Sequence, residues 1–244
     1  MHTPFAGNSK IPTFVLMERT IQVTADGSHT VSVPAWNVTY HSIHGAIRES
    51  VHVFIDAGLK YQQSKKPADT LSILEMGFGT GLNALLTFRE AVRERKNLYY
   101  QTIEQYPLTW KEVGPLNYAD QLNEPILQSV LTTLHSVPWN TDVQINPYYC
   151  LHKTHAALQD VSFTRSFDII YYDAFAPTAQ PELWTEDIFE KLYHCLTPGG
   201  ILVTYCSKGN VRRAMKAVGF IVEKKVPGPP RKREMLRAIR PDTI

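Results

Sequence analysis

Three glycines at alternate positions, Gly77, Gly79 and Gly81, follow the apolar run Leu71-Ser-Ile-Leu-Glu-Met76 and precede an amphipathic stretch from Leu82 to Arg95. A strand, a glycine turn and a helix in that order are how an open α/β sheet builds a ligand crevice. The ligand lies at the strand's carboxyl end, against the first turn of the helix. Glycine there lets the backbone turn sharply and approach a ligand without a Cβ in the way. A dinucleotide fingerprint would require glycine at position 82, where this chain has Leu82. The spacing is instead G-x-G-x-G preceded by the acid Glu75, a form suited to a cofactor without a pyrophosphate. The next apolar run, Leu98 to Ile103, ends at Glu104, placed to accept hydrogen bonds from two ribose hydroxyls. These features favour adenosylmethionine over NAD and leave an NAD-dependent oxidoreductase as the weaker alternative.

A second constellation, Asp173-Ala-Phe-Ala-Pro177, follows the run Phe167-Asp-Ile-Ile-Tyr-Tyr172 and belongs on the same crevice. A carboxylate followed by an aromatic and a proline is similar to the D/N-P-P-Y/F motif of amino-group methyltransferases. The chemistry gives a reason. A primary amine must lose a proton and aim its lone pair at an electrophilic methyl, and a carboxylate can hold the ammonium, take the proton and orient the nitrogen. Phe175 has the flat face to stack on a nucleobase. The competing readings are a turn cap for Asp173 and plain core packing for Phe175 and Trp184.

The elements that must position these residues alternate. Thr20–Thr24 and Thr30–Val33 around Ala25-Asp-Gly27 read as a hairpin, Val51–Lys60 as a short helix, and the polar stretch Gln62–Asp69 as a loop. From Thr70 onward come strands at 71–76, 98–103, 142–150, 167–172 and 201–205. Helices are expected at 82–95, through 134, at 155–159, 182–195 and 211–218. Two final strands, Phe220–Val226 and Met235–Ile239, have no helix between them and are expected to pair antiparallel at a sheet edge. The expectation is an α/β fold: a Rossmann-like domain over 66–244 with a mostly parallel, seven-stranded sheet, preceded by a small β-rich extension over 1–65.

A chain of 244 residues suits one such domain. The apolar runs are strand-sized and far short of a membrane span, and the first residues lack a signal-peptide pattern, so a cytoplasmic protein without a membrane partner is expected. Cys150, Cys195 and Cys206 are scattered and carry no metal spacing. The pairs His41/His44 and His152/His155 lack a supporting cluster, so no metal is expected. The net charge of +2 is nearly neutral. The tail is not: Lys224, Lys225, Arg231, Lys232, Arg233, Arg237 and Arg240 face the single acid Glu234, a patch able to meet phosphates or simply a solvated basic end.

Glu75-Met-Gly-Phe-Gly-Thr-Gly-Leu-Asn83, Asp173-Ala-Phe-Ala-Pro177 with Trp184, and Arg231-Lys-Arg-Glu-Met-Leu236 together resemble one family. It is the methyltransferase domain of the bacterial tRNA 5-methylaminomethyl-2-thiouridine biosynthesis protein MnmC and its stand-alone form MnmD. The lead-in Tyr40-His-Ser42, Gly45, Glu49 and Val53-Phe54 is similar as well. The resemblance implies a class I methyltransferase fold and S-adenosylmethionine as cofactor. Its implied substrate is tRNA, with the aminomethyl group on a wobble uridine receiving the methyl. It further implies that Glu75, Gly77, Gly79, Gly81 and Glu104 hold the cofactor and that Asp173 faces the amine. Phe175, Pro177 and Trp184 are then expected around the base, with Lys232, Arg233 and Glu234 on the substrate side. Where the family carries Gly-Asp after its third strand, this chain reads Lys153-Thr154, which passes adenine recognition to Thr154 or a backbone group. The chain ends at Ile244 without the flavin-dependent oxidase of the bifunctional protein, so an already aminomethylated acceptor and no flavin are expected. The alternatives are a methyltransferase for a free or protein amine and a non-catalytic RNA-binding relative.

Overall fold

The computed structural model describes residues 18–242. Its first element is a small antiparallel sheet of β1 (Thr20–Val23), β2 (His29–Val33) and β3 (Val38–Thr39). The turn between β1 and β2 is tied inward by Asp26, whose carboxylate accepts from the Ser28 amide (3.1 Å) and the Arg48 amide (3.0 Å). Asn117 clamps the same turn, accepting from the His29 amide and donating to the Gly27 carbonyl, each at 2.9 Å. The sheet is therefore fastened to the body of the molecule, and the residues just after it, Tyr40 and His41, lie beside the segments that follow the central strands of the main sheet.

A continuous helical stretch follows: α1 (Ala46–Ser50), a π-helical segment (Val51–Lys60) and α2 (Tyr61–Lys65). The expected helix is thus longer at both ends, and the loop expected from Gln62 begins only after Lys65. The cause is tertiary. Gln62 is buried and donates to the Gly199 carbonyl at 3.0 Å, and Tyr61 donates to Glu223 at 2.8 Å. Polar side chains here satisfy distant groups, which composition cannot distinguish from a solvated loop.

Then come β4 (Thr70–Met76), α3 (Leu82–Glu94), β5 (Asn97–Glu104), the short helices α4 (Trp110–Val113) and α5 (Tyr118–Gln121), and α6 (Ile126–Ser136). The remaining elements are β6 (Asp142–Asn146), β7 (Tyr149–His155), β8 (Phe167–Tyr172), α7 (Glu186–Cys195), β9 (Leu196–Thr204), α8 (Gly209–Ala217), β10 (Ile221–Val222), β11 (Val226–Pro227) and β12 (Glu234–Ile239). The main sheet runs β10-β12-β9-β8-β4-β5-β7-β6, with β11 on β12. The pairs from β7 to β9 are parallel and those involving β6, β10, β11 and β12 antiparallel.

Two expectations are corrected here. The third parallel strand is β7, not 142–150; residues 142–146 form a strand that folds back on it, and no helix covers 155–159, only a single 3-10 turn at 158–160. Among the described residues the sheet consequently has nine strands rather than seven, the additions being β6 and the short β11. The closing antiparallel edge of β10 and β12 is as expected.

Central strands are buried on both faces, and their side chains alternate between two cores. Ile73, Ile169, Tyr171, Ile201 and Val203 meet Phe54, Ile55 and Leu59 of the π-helical segment. Leu74, Ile170, Tyr172 and Leu202 meet Phe189, Leu192 and Met215 of α7 and α8. The sequence division at residue 65 falls at the end of a helix that is packed into the first of these cores. The strand order reverses between β4 and β8, whose carboxyl ends carry residues 77–81 and 173–180. No helix among the described residues is long and apolar enough to cross a membrane.

Candidate active site

The glycine loop leaves β4 and enters α3 with Gly77, Gly79 and Gly81 all at positive φ (91°, 48° and 75°). Two of these positions also have no room for a side chain. A Cβ on Gly79 would stand 2.9 Å from the Tyr40 ring, and one on Gly81 would stand 2.9 Å from His135 Nε2. Gly81 is the N-cap of α3 and no side chain caps that helix, so its first-turn amides stay available to a ligand. The Glu104 carboxylate, at the end of β5, accepts from the Gly79 amide at 3.0 Å and from the Tyr106 amide at 2.7 Å. The acid of the second strand thus fixes the loop and stands on the cleft at once.

That cleft is walled by Gly77, Gly79, Glu104, Asp173 and Phe175 of the expected residues. Tyr40, Asn83, Leu158 and Gln159 are also on its wall. A second chamber adjoins it through the shared walls Tyr40, His41, Ala174 and Phe175, and adds Glu49, Tyr205 and Lys232. The Phe175 ring meets Tyr40 edge-on at 5.1 Å and Trp36 at 6.5 Å, so the seam between the chambers is aromatic on both sides.

Asp173 follows β8 at this seam. Its Oδ2 accepts from Asn83 Nδ2 at 2.8 Å. Removal from water pushes its carboxyl up to about 7; the charge of Glu49 adds to the rise, and the Asn83 hydrogen bond and Lys232 oppose it. Glu75 lies beneath the loop rather than on the cleft. It is fully buried, and removal from water pushes its carboxyl up to about 8; the charge of Asp173 adds to the rise, and hydrogen bonds to Thr102, Asn83 and Tyr100 oppose it.

The loop after Asp173 is held from behind. Trp184 Nε1 donates to the Phe175 carbonyl at 2.8 Å, Gln180 accepts from the Phe175 amide at 3.2 Å, and Tyr205 donates to the Ala174 carbonyl at 2.8 Å. Trp184 is buried edge-on against Tyr172 at 5.0 Å, so it shapes the loop from the core and does not line the cleft as expected. Pro177 sits in the turn closed by the Ala179 amide on the Ala176 carbonyl and is also off the cleft wall.

Other expected residues are placed elsewhere. Thr154 accepts from Gln101 Nε2 at 3.0 Å along the sheet, and the cleft wall beyond β7 is made by Leu158 and Gln159. The neighbouring Lys153 is buried, donating to the His135 carbonyl at 2.7 Å with its ammonium 4.6 Å from the Trp139 ring centre. In the basic tail, Lys232 pairs with Glu49 at 2.9 Å, while Glu234 pairs with Arg212 at 3.1 Å and turns away from the chambers. Arg237 is bound by Glu223 at 2.6 Å, and Arg240 donates to the Leu196 carbonyl. Lys224, Lys225, Arg231 and Arg233 remain exposed.

Tyr40, Glu49 and Asn83 enter the sequence reading only within stretches that resemble the family, with no role of their own, and Tyr205 carries no motif at all. Asn83 had a local signal, its place in the first turn after the glycines. The others come from segments that only the topology brings together. Among the described residues, no three of His, Cys, Asp and Glu converge as metal ligands would.

Comparison with known proteins agrees with this geometry. Residues 117–241 match the family model of an S-adenosyl-L-methionine-dependent methyltransferase. The chain is 32% identical over 222 residues to the tRNA 5-methylaminomethyl-2-thiouridine biosynthesis bifunctional protein MnmC of Nitrosospira multiformis, covering 83% of this chain and 34% of that protein. It is 32% identical over 207 residues to the protein of the same name from Leptospira interrogans, covering 81% and 32%. The chain thus spans about a third of the length of these curated relatives. The crystal structure of MnmC2 from Aquifex aeolicus superposes with a TM-score of 0.75 at 24% identity, covering 93% of this chain and 71% of that one. Spermidine synthase from Thermotoga maritima shares the fold at a TM-score of 0.53 and 14% identity, over 96% and 71%.

Proposed function

The chain belongs to the S-adenosyl-L-methionine-dependent methyltransferases, and on that premise we propose that it methylates the aminomethyl group on the wobble uridine of tRNA, giving the methylaminomethyl base. The observation that carries this reading is Asp173: a carboxylate with a pKa near neutrality, oriented by Asn83, where the glycine-loop cleft meets the second chamber. The names of the similar proteins support tRNA as the acceptor's carrier, and the exposed basic residues beside Lys232 offer phosphate contacts.

The cleft fits the cofactor. Its floor is a loop of left-handed glycines, its wall is a carboxylate aligned by two backbone amides, and an uncapped helix opens onto it. Gly77, Gly79, Gly81 and Glu104 would hold the nucleoside and amino-acid parts, with Leu158 and Gln159, in place of Thr154, beside the adenine. When bound, the cofactor supplies an electrophilic methyl on a cationic sulfur.

The protein's own part is to deliver an uncharged amine. The acceptor enters as an ammonium, Asp173 in its carboxylate form takes one proton from the nitrogen, and the freed lone pair becomes the nucleophile. Phe175 and Tyr40 confine the base so that this nitrogen stays at the seam between chambers. Trp184, Gln180 and Tyr205 keep the 173–180 loop rigid enough to do so. The compartment that accompanies this reading is the cytoplasm.

The reading is tested by incubating the protein with methyl-labelled S-adenosylmethionine and tRNA from cells lacking the modification, then digesting the RNA to nucleosides. Label is expected in methylaminomethyluridine. Label confined to small or protein amines, with none in nucleosides, would overturn the tRNA assignment.

A further inference from the structure

The second chamber already contains an ammonium. Lys232 Nζ reaches into it, 2.9 Å from Glu49 Oε1 and 4.2 Å from the centre of the Tyr205 ring. Glu49 is held for this role: its other oxygen accepts from the Ser42 amide at 2.8 Å, and its side chain is only 9% exposed. A fixed carboxylate beside an aromatic face is the arrangement that recognises a primary alkylammonium. The chamber opens on Ala174 and Phe175, next to Asp173, and both Glu49 and Lys232 are felt by the Asp173 carboxyl.

We propose that Glu49, with the face of Tyr205, is the subsite that binds the acceptor's primary ammonium, and that Lys232 is its exchangeable occupant. The proposal rests on the reading that the acceptor is a primary amine. Its logic is charge balance along the reaction. The nitrogen is cationic on arrival, neutral once Asp173 has its proton, and cationic again when the new carbon–nitrogen bond forms as the methyl–sulfur bond breaks, the positive charge passing from sulfur to nitrogen. Asp173 is neutralised by the proton it receives, so it cannot also balance the second positive charge. Glu49, held by the Ser42 amide, is placed to do so. Lys232, displaced from Glu49, is then free to meet an anionic group of the incoming acceptor.

The test compares binding of the full chain to tRNA carrying the aminomethyl group and to the same tRNA as an unmodified transcript. The wild type is expected to prefer the aminated form. Glu49→Gln, which keeps size and removes charge, should reduce that preference at least about tenfold, corresponding to about 1.4 kcal/mol. Its affinity for S-adenosylmethionine and for the unmodified transcript should stay within about twofold, which also shows that the variant is folded. Glu49→Asp should recover part of the preference, and Lys232→Met should keep it. Equal preference in wild type and Glu49→Gln overturns the subsite, and loss of preference in Lys232→Met overturns the occupant role. If the wild type methylates another primary amine instead of tRNA, the wobble-uridine reading fails. The same comparison, run with that amine and its hydroxyl analogue, still decides the role of Glu49.

Discussion

At Asp173, loss of water contact is the largest influence on the carboxyl, and its result, a pKa near 7, is what a base for an amine requires at neutral pH. The charged groups bearing on it are Glu49, Lys232 and, below the loop, Glu75. Only the carboxylate form accepts the proton, so kcat/KM should fall about tenfold per unit below a midpoint near pH 7 and level off above it. Asp173→Asn should cost at least about a hundredfold in kcat while cofactor affinity stays within about tenfold. A flat profile between about pH 6 and 8, or a fully active variant, removes Asp173 from the proton's path. Glu75 makes a different prediction. Its pKa rises from 4.5 to about 8 on folding, so the folded state holds a proton that the unfolded chain has lost. The stability this brings is complete below pH 4.5 and declines by about 1.4 kcal/mol per unit up to about pH 8. Glu75→Gln should abolish that slope and be the more stable protein at pH 8, as read from urea midpoints across the range. Parallel curves for the two proteins would mean that Glu75 is ionised in the fold. Gly77–Gly81, Glu104 and Asp173 were legible in the sequence because each answers a need stated by its immediate neighbours. Tyr40, Glu49 and Tyr205 answer needs set by other segments; Tyr40 and Glu49 stand in the lead-in that resembles the family, but no local pattern gives any of the three its role.

The helical stretch from Ala46 to Lys65 shows the same limit for an element. Its apolar residues made a helix at 51–60 readable, but not the π-helical winding, which spaces its hydrogen bonds differently from the 3.6-residue pattern used to find it. What the winding does is lay Gly58 against the sheet. A Cβ there would stand 3.1 Å from the Tyr171 ring and 3.2 Å from Val203 Cγ2. Gly58→Val should therefore overpack the core and destabilise the fold by about 1–3 kcal/mol, read as a lower urea midpoint at unchanged m-value. Unchanged stability would show that the helix can lift off β8 and β9 at no cost. Strand three was misplaced for a related reason. Asp142–Asn146 and Tyr149–His155 both alternate like strands, and Lys153 argues for solvent, yet its ammonium is taken up by a carbonyl and two aromatic rings. A buried cation satisfied across the fold cannot be read from its own segment.

Over the whole molecule, a net charge of +2 gives little long-range attraction for RNA. Any electrostatic contribution to binding must be local. The sequence showed a run of basic residues at the end of the chain but not how the fold divides them. Arg237 and Arg240 are consumed by Glu223 and carbonyl groups, and Lys232 is held by Glu49 until an acceptor displaces it. Lys224, Lys225, Arg231 and Arg233 are left exposed, and of these Arg231 and Arg233 adjoin Lys232 of the second chamber in the chain. Cations engaged within the protein release no counterions when RNA binds, whereas exposed ones do, by about 0.7–0.9 in the log–log salt slope per phosphate met. Replacing Arg231 and Arg233 together by alanine should thus weaken tRNA binding and flatten its salt dependence by about 1–2 units of slope. Arg237→Ala should lower stability, since it leaves Glu223 with Tyr61 but no ion-pair partner, and leave the slope as it was. The decisive measurement is tRNA affinity for both variants over a salt series. An unaltered slope in the Arg231/Arg233 double variant would place the RNA on another face, and a reduced slope in Arg237→Ala would mean that the Glu223 pair opens when RNA binds.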